Sequence, residues 1–254
     1  MKFSNSLSIL TVLAAIAYLG GAGVHDASAQ EPAKASPSAS AVPSGSGAPS
    51  SSAAKGAPAV PNADSIAARV QAFYDSTRTY QARFEQVYHI EAYNRKKKSV
   101  GKVAFQRPGR MSWVYDEPNG NVVVSDGETL KIYEKEKSQI VEQSLGASQY
   151  PAVLAFLVGK GNLREMFTLR KLDEKQMNFE GGYVLEGIPK KETTAYTKVI
   201  MYIDAETAQV RRMLVIDAQR NRNLFTFSDP VVNTALPATT FSFTAPPGTQ
   251  VVRP

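Results

Sequence analysis

One stretch, residues 106–118, constrains the fold more than any other part of the chain. Its second half alternates, with Met111, Trp113 and Tyr115 at every second position. Because successive side chains of a β-strand point to opposite faces, these three side chains share one face. A proline lies near either end of the run, and proline cannot donate a hydrogen bond within a sheet. The stretch therefore predicts a short strand with an aromatic face, preceded by a cationic turn that contains Arg107.

The same period of two recurs along much of the chain. Apolar side chains occupy alternate positions from Tyr80 to Ile90, with Gln86 as the exception. Asp126 and Gly127 separate two apolar runs, and Asp-Gly in that position is a strong hairpin signal. Further runs predict strands at residues 103–105, 121–125, 130–133, 140–141, 167–172, 183–188, 196–204, 210–217, 224–227 and 241–243.

Short connections between successive strands imply antiparallel pairing, and about ten strands in one domain imply strong curvature. We therefore expect a mainly β fold of the α+β class, built on an incomplete, strongly curved antiparallel β-barrel. Asn62 or Asp64 can cap a first helix, whose single apolar face contains Ile66, Val70, Phe73 and Tyr74.

Two further helical segments are predicted in the middle of the chain. Pro151 and Gly159 bound a short apolar helix, which contains Leu154 and Leu157, and residues 162–166 predict another turn. Two or three helices are too few to cover both faces of the sheet, so we expect them to plug its concave side.

The first 29 residues predict a cleaved signal peptide. Lys2 precedes an apolar run from Leu7 to Leu19, and Ala27-Ser28-Ala29 forms a small-x-small site for cleavage after Ala29. The run is shorter than the roughly 20 residues of a membrane-spanning helix, although an uncleaved N-terminal anchor stays open as an alternative. Export from the cytoplasm is the prediction.

Residues 30–62 consist almost wholly of Ala, Ser, Pro and Gly, a composition that predicts a disordered tether. The folded part is then a single domain, residues 63–254. The chain contains no cysteine, which excludes disulfides and a lipid anchor on cysteine. We expect a freely diffusing protein after export.

Little in the composition points to catalysis. His89 is the one histidine of the mature chain, so metal and haem sites lack their usual ligands, and we expect no metal and no cofactor. No G-x-S-x-G elbow accompanies His89, and no phosphate-binding loop is present. A hydrolase using two carboxylates stays open as an alternative, because acidic residues are plentiful.

The formal net charge is +6, and the cations are scattered among acids except at Arg95, Lys96, Lys97 and Lys98. This run lies between two predicted strands. One interpretation is a solvated hairpin tip. The other is a surface that contacts anionic lipid or an acidic partner. A nucleic acid partner is not expected, because no basic stripe is interleaved with aromatic residues.

Several motifs occur in an order that resembles one known family. They are the export signal and first helix, Phe84-Glu85-Gln86, residues 105–113 and residues 124–130. Residues 223–227, Asn233, Leu236-Pro237 and residues 241–248 continue the match to the end of the domain. Together they resemble the periplasmic outer-membrane lipoprotein carrier family, LolA.

The resemblance implies an incomplete barrel whose helices form a lid over an apolar cavity. It also implies a non-enzymatic periplasmic chaperone whose cargo is triacylated lipoproteins released by an inner-membrane ABC transporter. The resemblance further implies delivery of this cargo to an outer-membrane acceptor or to the outer membrane itself. We expect a monomer. The candidate cavity residues are Val70, Phe73, Phe84, Tyr88, Ile90, Phe105, Met111, Trp113, Tyr115, Leu154 and Leu157.

Arg107 matches the family arginine that precedes a proline just before the tryptophan-containing strand. In the family, that arginine binds backbone carbonyls of the lid and holds the empty cavity shut. The alternative is a turn arginine that pairs with Asp116 or Glu117. Lys131 departs from the family, which commonly has tryptophan there, so an aromatic cavity wall at that point is in doubt.

Other interpretations stay open at this stage. The aromatic face can equally be the packed core of a filled barrel, because that is the usual location of aromatic side chains. A sensor that uses a similar barrel to detect lipid or lipoprotein is a second functional hypothesis. A lipid hydrolase is the third, and it requires a nucleophile near His89 or an acid pair.

Overall fold

The computed structural model describes residues 61–145 and 161–253. The predicted signal peptide, residues 30–60 of the tether and the predicted helix that contains Leu154 and Leu157 lie outside these residues.

Helix α1 spans Ala63–Ser76. Its N-cap is Asn62, whose side-chain oxygen accepts a hydrogen bond from the Ser65 N–H at 2.9 Å. At the other end, the Thr77 hydroxyl donates to the Phe73 carbonyl at 2.8 Å. The predicted helix is confirmed, and it buries one face that contains Ile66, Ala67, Val70 and Tyr74.

The described residues form one twelve-stranded sheet and a short helix, α2, at Leu163–Met166. The strands are β1 (Thr79–Ile90), β2 (Arg95–Gln106), β3 (Arg110–Tyr115), β4 (Val122–Asp126), β5 (Thr129–Glu134), β6 (Gln139–Ser144), β7 (Phe167–Leu172), β8 (Gly182–Pro189), β9 (Lys198–Asp204), β10 (Val210–Ile216), β11 (Arg222–Val232) and β12 (Gln250–Val252).

The strand order is β12-β6-β5-β4-β3-β2-β1-β11-β10-β9-β8-β7, so the sheet is not closed and its edges are β12 and β7. Neighbouring strands are antiparallel except β12 and β6, which are parallel. One core cluster joins α1 to inward side chains from β1 to β5 and from β7 to β11. A flat sheet cannot bring strands this far apart into one cluster around a helix. The mainly β, incomplete barrel is therefore confirmed.

Side-chain alternation determines which residues face α1. On β1, Tyr80, Ala82, Phe84, Gln86 and Tyr88 are buried, as the period of two predicts. The polar exception is explained by the neighbouring strand, because the Gln86 amide donates to Asn223 Oδ1 at 2.8 Å. A buried polar group costs little when it has such a partner.

The structure corrects the sequence predictions in the C-terminal part of the sheet. The strand predicted at 241–243 is a 3₁₀ turn at Ala238–Phe241, followed by Phe243, which stacks on Tyr133 at 5.0 Å between ring centroids. The short strand β12 was missed. Strand β11 extends well beyond residue 227, because a bulge opposite β1 accommodates Asp229, with φ of 52°, and Pro230.

The basic run occupies a different place from the predicted hairpin tip. Arg95, Lys96, Lys97 and Lys98 begin β2, paired with the end of β1, and the tip itself is the 3₁₀ turn Glu91–Tyr93 with Asn94. All four basic side chains are nevertheless exposed. Among the helices of the described residues, none has the length and apolar character needed to cross a membrane.

Candidate functional site

The inward face of the sheet carries a cluster of aromatic rings centred on Trp113. Its ring centroid lies 5.0 Å from that of Phe84, 5.4 Å from Phe225 and 5.9 Å from Phe105. Phe84 also meets Tyr115 edge-on at 5.0 Å. These packing distances are typical of favourable aromatic pairs, so the cluster forms a closed core in this state.

Six of the predicted cavity residues lie together in this core: Val70, Phe84, Phe105, Met111, Trp113 and Tyr115. Phe73 is half-buried and packs against its edge. Tyr88, buried, and Ile90, half-buried, lie farther along β1 and outside the cluster. Leu154 and Leu157 lie outside the described residues.

Two polar atoms within this apolar core lack hydrogen bonds. Trp113 Nε1 and the Tyr115 hydroxyl are buried and have no partner among the described residues. Burial raises the pKa of the Tyr115 hydroxyl, so it stays protonated. An unpaired buried donor costs about 1–3 kcal/mol, and both donors face the side of the sheet that α1 covers.

Arg107 fastens the turn between β2 and β3 to the C-terminal end of α1. Its Nη1 donates to the Asp75 carbonyl at 3.1 Å, and its Nη2 donates to Asp75 Oδ1 at 2.9 Å. The Arg107 backbone N–H donates to the Arg78 carbonyl at 2.9 Å. Helix carbonyls at this end carry partial negative charge, so a guanidinium is favourable here. Arg107 therefore binds both a helix carbonyl and a carboxylate.

The acids named as alternative partners are held elsewhere. Asp116 accepts from Arg83 Nη2 at 2.6 Å, and Glu117 accepts from Lys135 Nζ at 2.6 Å. Arg107 has neither acid as a partner among the contacts of the described residues.

A chain of hydrogen bonds extends from Arg107 across α1 to α2. Asp75 Oδ1 also accepts from Gln71 Nε2 at 3.0 Å, and Gln71 Oε1 accepts from the Leu163 N–H at 3.0 Å. Gln71 is buried despite its polarity. Its side chain therefore connects Asp75, the partner of Arg107, to the N-terminus of α2, a connection that sequence periodicity could not show.

An apolar groove of about 570 Å³ lies on the opposite face of the sheet, beneath the C-terminal segment. Sequence reasoning missed this groove. The continuous apolar run of β4 was the available signal, because a strand buried on both faces does not alternate. The apolar residues that line the groove are Ala82, Val103, Ala104, Val114, Val122, Val124, Val231 and Phe243.

Lys131 points to this outer face, where it pairs with Glu142 at 3.5 Å, while its neighbours Leu130 and Ile132 belong to the inward core. Residue 131, where the sequence departs from the resemblance, therefore does not belong to the inward wall.

The ring of His89 faces polar side chains of the hairpin tip. His89 Nε2 lies 3.0 Å from Asn94 Oδ1, and Nδ1 lies 3.8 Å from Glu91 Oε2. Within residues 61–145 and 161–253, no group of three or more His, Asp or Glu side chains is placed to hold a metal ion.

Comparison with known proteins identifies the family. The sequence model described as "Outer membrane lipoprotein carrier protein LolA" matches residues 75–244. The chain belongs to the LolA family. The outer-membrane lipoprotein carrier protein of Nitrosomonas europaea is 29% identical over 198 residues, covering 76% of this chain and 92% of that protein. The carrier of Dechloromonas aromatica is 31% identical over 180 residues, covering 71% and 84%.

Among solved structures, a LolA superfamily protein of Nitrosomonas europaea matches with a TM-score of 0.41 and 15% identity. The match covers 72% of this chain and 99% of that one.

Proposed function

We propose that this LolA-family protein is a periplasmic chaperone. It shields the acyl chains of lipoproteins released from the inner membrane and delivers them to the outer membrane. The observation that carries the proposal is an aromatic inward face covered by one helix, which is fastened at its end through Arg107 and Asp75.

The cargo requires such a face. Each buried CH₂ group contributes about 0.8 kcal/mol, so one long acyl chain costs on the order of 10 kcal/mol to leave in water. A triacylated lipoprotein carries three such chains, and it cannot cross an aqueous compartment unless an apolar surface covers them.

The free energy needed to move α1 away is smaller than the free energy gained by burying the acyl chains of the cargo. The inward face is packed against α1, so acyl chains can enter only when α1 moves away. Exposing the three large buried side chains Ile66, Val70 and Tyr74 costs roughly 5–9 kcal/mol. Breaking the hydrogen bonds of Arg107 adds about 1.5–3 kcal/mol each, at the lower end because Asp75 is half exposed. Three acyl chains offset this sum.

The contact of Arg107 with Asp75, which we call the latch, therefore determines how tightly cargo is held. Closure of the empty protein competes with cargo, and a ligand shifts such an equilibrium only by its differential affinity for the two states. A protein that must release its cargo benefits from a favourable closed state. The unpartnered Trp113 and Tyr115 donors lower the stability of that closed state and become available to polar atoms of cargo on opening.

Within this proposal Arg107 is the latch. The acyl chains contact Val70, Phe73, Phe84, Phe105, Met111, Trp113 and Tyr115, with Tyr88, Ile90, Leu154 and Leu157 as further predicted contacts. An inner-membrane ABC transporter supplies the cargo, and an acceptor or the membrane itself receives it. We expect the carrier to be monomeric.

The proposal is tested by expressing the protein with its export signal and purifying it from the periplasm without detergent. Native mass spectrometry then shows whether triacylated lipoprotein co-purifies. We expect cargo on the wild type and more on Arg107→Leu. Arg110→Leu is the matched control, because Arg110 is an exposed arginine at the start of β3, directly after the same turn. Folded wild-type and Arg107→Leu proteins that are both empty would contradict the carrier function. Ester hydrolysis lost on His89→Ala would instead favour an enzyme.

A further inference from the structure

Two neighbouring hairpins end side by side and form one surface, which we call the paired tips and define as residues 91–98 and 217–222. Strands β1 and β11 pair as far as His89 and Arg222, which lie next to the two turns. The turns themselves are joined, because the Glu91 N–H donates to Asn221 Oδ1 at 3.0 Å. The paired tips are thus held together as one unit.

The paired tips carry a strong excess of positive charge. Within these two ranges Glu91 and Asp217 are the only carboxylates, so their formal net charge is +4, and Lys98 also pairs with Glu85 on β1 at 2.7 Å. Asp217 already accepts two hydrogen bonds from Asn221, each 2.9 Å long. Glu91 lies 3.9 Å from two guanidiniums at once. The six cationic residues are Arg95, Lys96, Lys97, Lys98, Arg220 and Arg222.

The arrangement of these cations favours a flat partner that approaches the end of the hairpins. Arg95 to Lys98 are consecutive in β2, so their side chains alternate between the two faces of the sheet, yet all four are exposed. A protein bound to one face of the sheet would contact only half of them. A surface that approaches end-on contacts both sets together with Arg220, which is 78% exposed.

An exposed aromatic residue lies at the apex of the same surface. Tyr93 belongs to the turn of the β1–β2 hairpin and is 62% exposed. Tyrosine combines an apolar ring with a hydroxyl and is enriched where lipid meets water. A lipid–water boundary accounts for both the charge of the surface and this exposed ring.

We propose that the paired tips dock this protein end-on against a membrane surface that contains anionic phospholipid, with Tyr93 at the lipid–water boundary. Arg107 lies at the far end of β2, roughly 35 Å away at about 3.3 Å per residue. Docking therefore leaves the latch free to act. The inference goes beyond the proposed function, because membrane docking does not require that cargo is bound.

The test is sedimentation of the cargo-free protein with vesicles of phosphatidylcholine, with and without about 30% phosphatidylglycerol. We expect binding only to the anionic vesicles, and weaker binding at about 0.5 M salt than at about 0.05 M. Each cation near an anionic surface strengthens binding roughly fivefold. Replacing Arg95, Lys96, Lys97 and Lys98 with serine should therefore weaken binding at least about 100-fold. Tyr93→Ser should weaken it at unchanged net charge.

The matched control removes the same charge from exposed sites elsewhere, with serine at Lys102, Arg110, Lys175 and Arg211. We expect this control to bind nearly as tightly as the wild type. An equal loss in both variants would show that only overall charge matters and would overturn the proposal. Binding to polyglutamate without binding to anionic vesicles would overturn it in favour of an acidic protein partner. Circular dichroism establishes that each variant is folded. If the protein bound anionic vesicles but never carried lipoprotein, the proposed function would fail and the membrane-docking inference would stand.

Discussion

Two buried tyrosines lie in the same core but differ in their hydrogen bonds, and this difference predicts opposite effects of the same substitution. The Tyr74 hydroxyl accepts a hydrogen bond from the Val210 N–H at 3.2 Å, whereas the Tyr115 hydroxyl has no partner among the described residues. Both side chains are at most 2% exposed. Replacing each with phenylalanine removes one oxygen atom from a closely similar environment.

The expected magnitudes follow from whether a partner is left behind. Tyr74→Phe leaves the buried Val210 N–H without this acceptor, so it should lower the free energy of unfolding by about 1–3 kcal/mol. Tyr115→Phe removes an unpaired hydroxyl, so its effect should lie between zero and about 1 kcal/mol of stabilisation. In a domain of this size, about 1 kcal/mol shifts the Tm by roughly 2–4 °C. Tyr74→Phe should therefore lower the Tm by roughly 2–12 °C, and Tyr115→Phe should raise it by up to about 4 °C.

Urea denaturation of the cargo-free protein provides the free energies, and unchanged m-values would show that the unfolded states are comparable. If the Tyr115 hydroxyl serves cargo rather than stability, Tyr115→Phe should also retain less lipoprotein. A loss of more than about 1 kcal/mol on Tyr115→Phe would refute the assignment of an unpaired hydroxyl.

Three further predictions concern the latch, the sheet and pH. Gln71→Leu should lower the free energy of unfolding, measured with urea, by about 2–4 kcal/mol, because it leaves the buried Leu163 N–H unpaired and removes the hydrogen bond to Asp75. An unchanged urea midpoint would contradict the hydrogen-bond chain from Arg107 to α2. Gly101→Ala should cost about 3 kcal/mol or more, since a Cβ there would lie 2.2 Å from the Val114 carbonyl oxygen. In the control, Gly248→Ala, no atom lies within 4 Å of the added Cβ, and the φ of 84° alone should lower the free energy of unfolding by about 1–2 kcal/mol. Burial raises the pKa of Tyr196 from 10.0 to about 12 in the folded protein. The unfolded chain therefore loses this proton at a lower pH than the folded protein, so the stability contributed by neutral Tyr196 is present below pH 10 and is lost as the pH rises towards 12. Tyr196→Phe should reduce the fall in Tm over that interval.

The elements that depend on local pattern could be predicted from the sequence. Alternation placed Met111, Trp113 and Tyr115 on the buried face of β3, because the period of a strand is a property of the backbone. The cap at Asn62 and the hairpin at Asp126 and Gly127 follow from equally local rules. These features required no knowledge of which strands are neighbours.

Features that depend on distant partners could not be predicted from periodicity. Nothing in the sequence near Arg107 indicates that Asp75 is its acceptor, since the pairing depends on where α1 ends relative to the β2–β3 turn. Likewise, Gln71 was not recognised as a link to α2, because a polar residue on a helix is usually exposed.

The pattern of the C-terminal segment led to a wrong strand prediction at residues 241–243, and the reason is physical. Phe241 and Phe243 alternate with serine as in a strand, but the segment crosses the outer face of the sheet, where Phe243 packs in a separate apolar cluster with Tyr133. Strand β12 is only Gln250–Val252, too short to show a period, and it pairs with β6 in parallel.

The central claim is that α1 moves away from the inward face and that acyl chains enter between them. Trp113 is the single tryptophan of the chain and is fully buried at the centre of that face, so its fluorescence reports on this site alone. The measurement is a titration with a triacylated lipopeptide whose acyl chains carry bromine, a quencher that acts on contact. We predict quenching by the brominated lipopeptide but not by its unbrominated counterpart, and quenching of Arg107→Leu at lower concentrations. Lipopeptide that co-elutes with the protein but leaves Trp113 unquenched would place the cargo elsewhere and contradict the account.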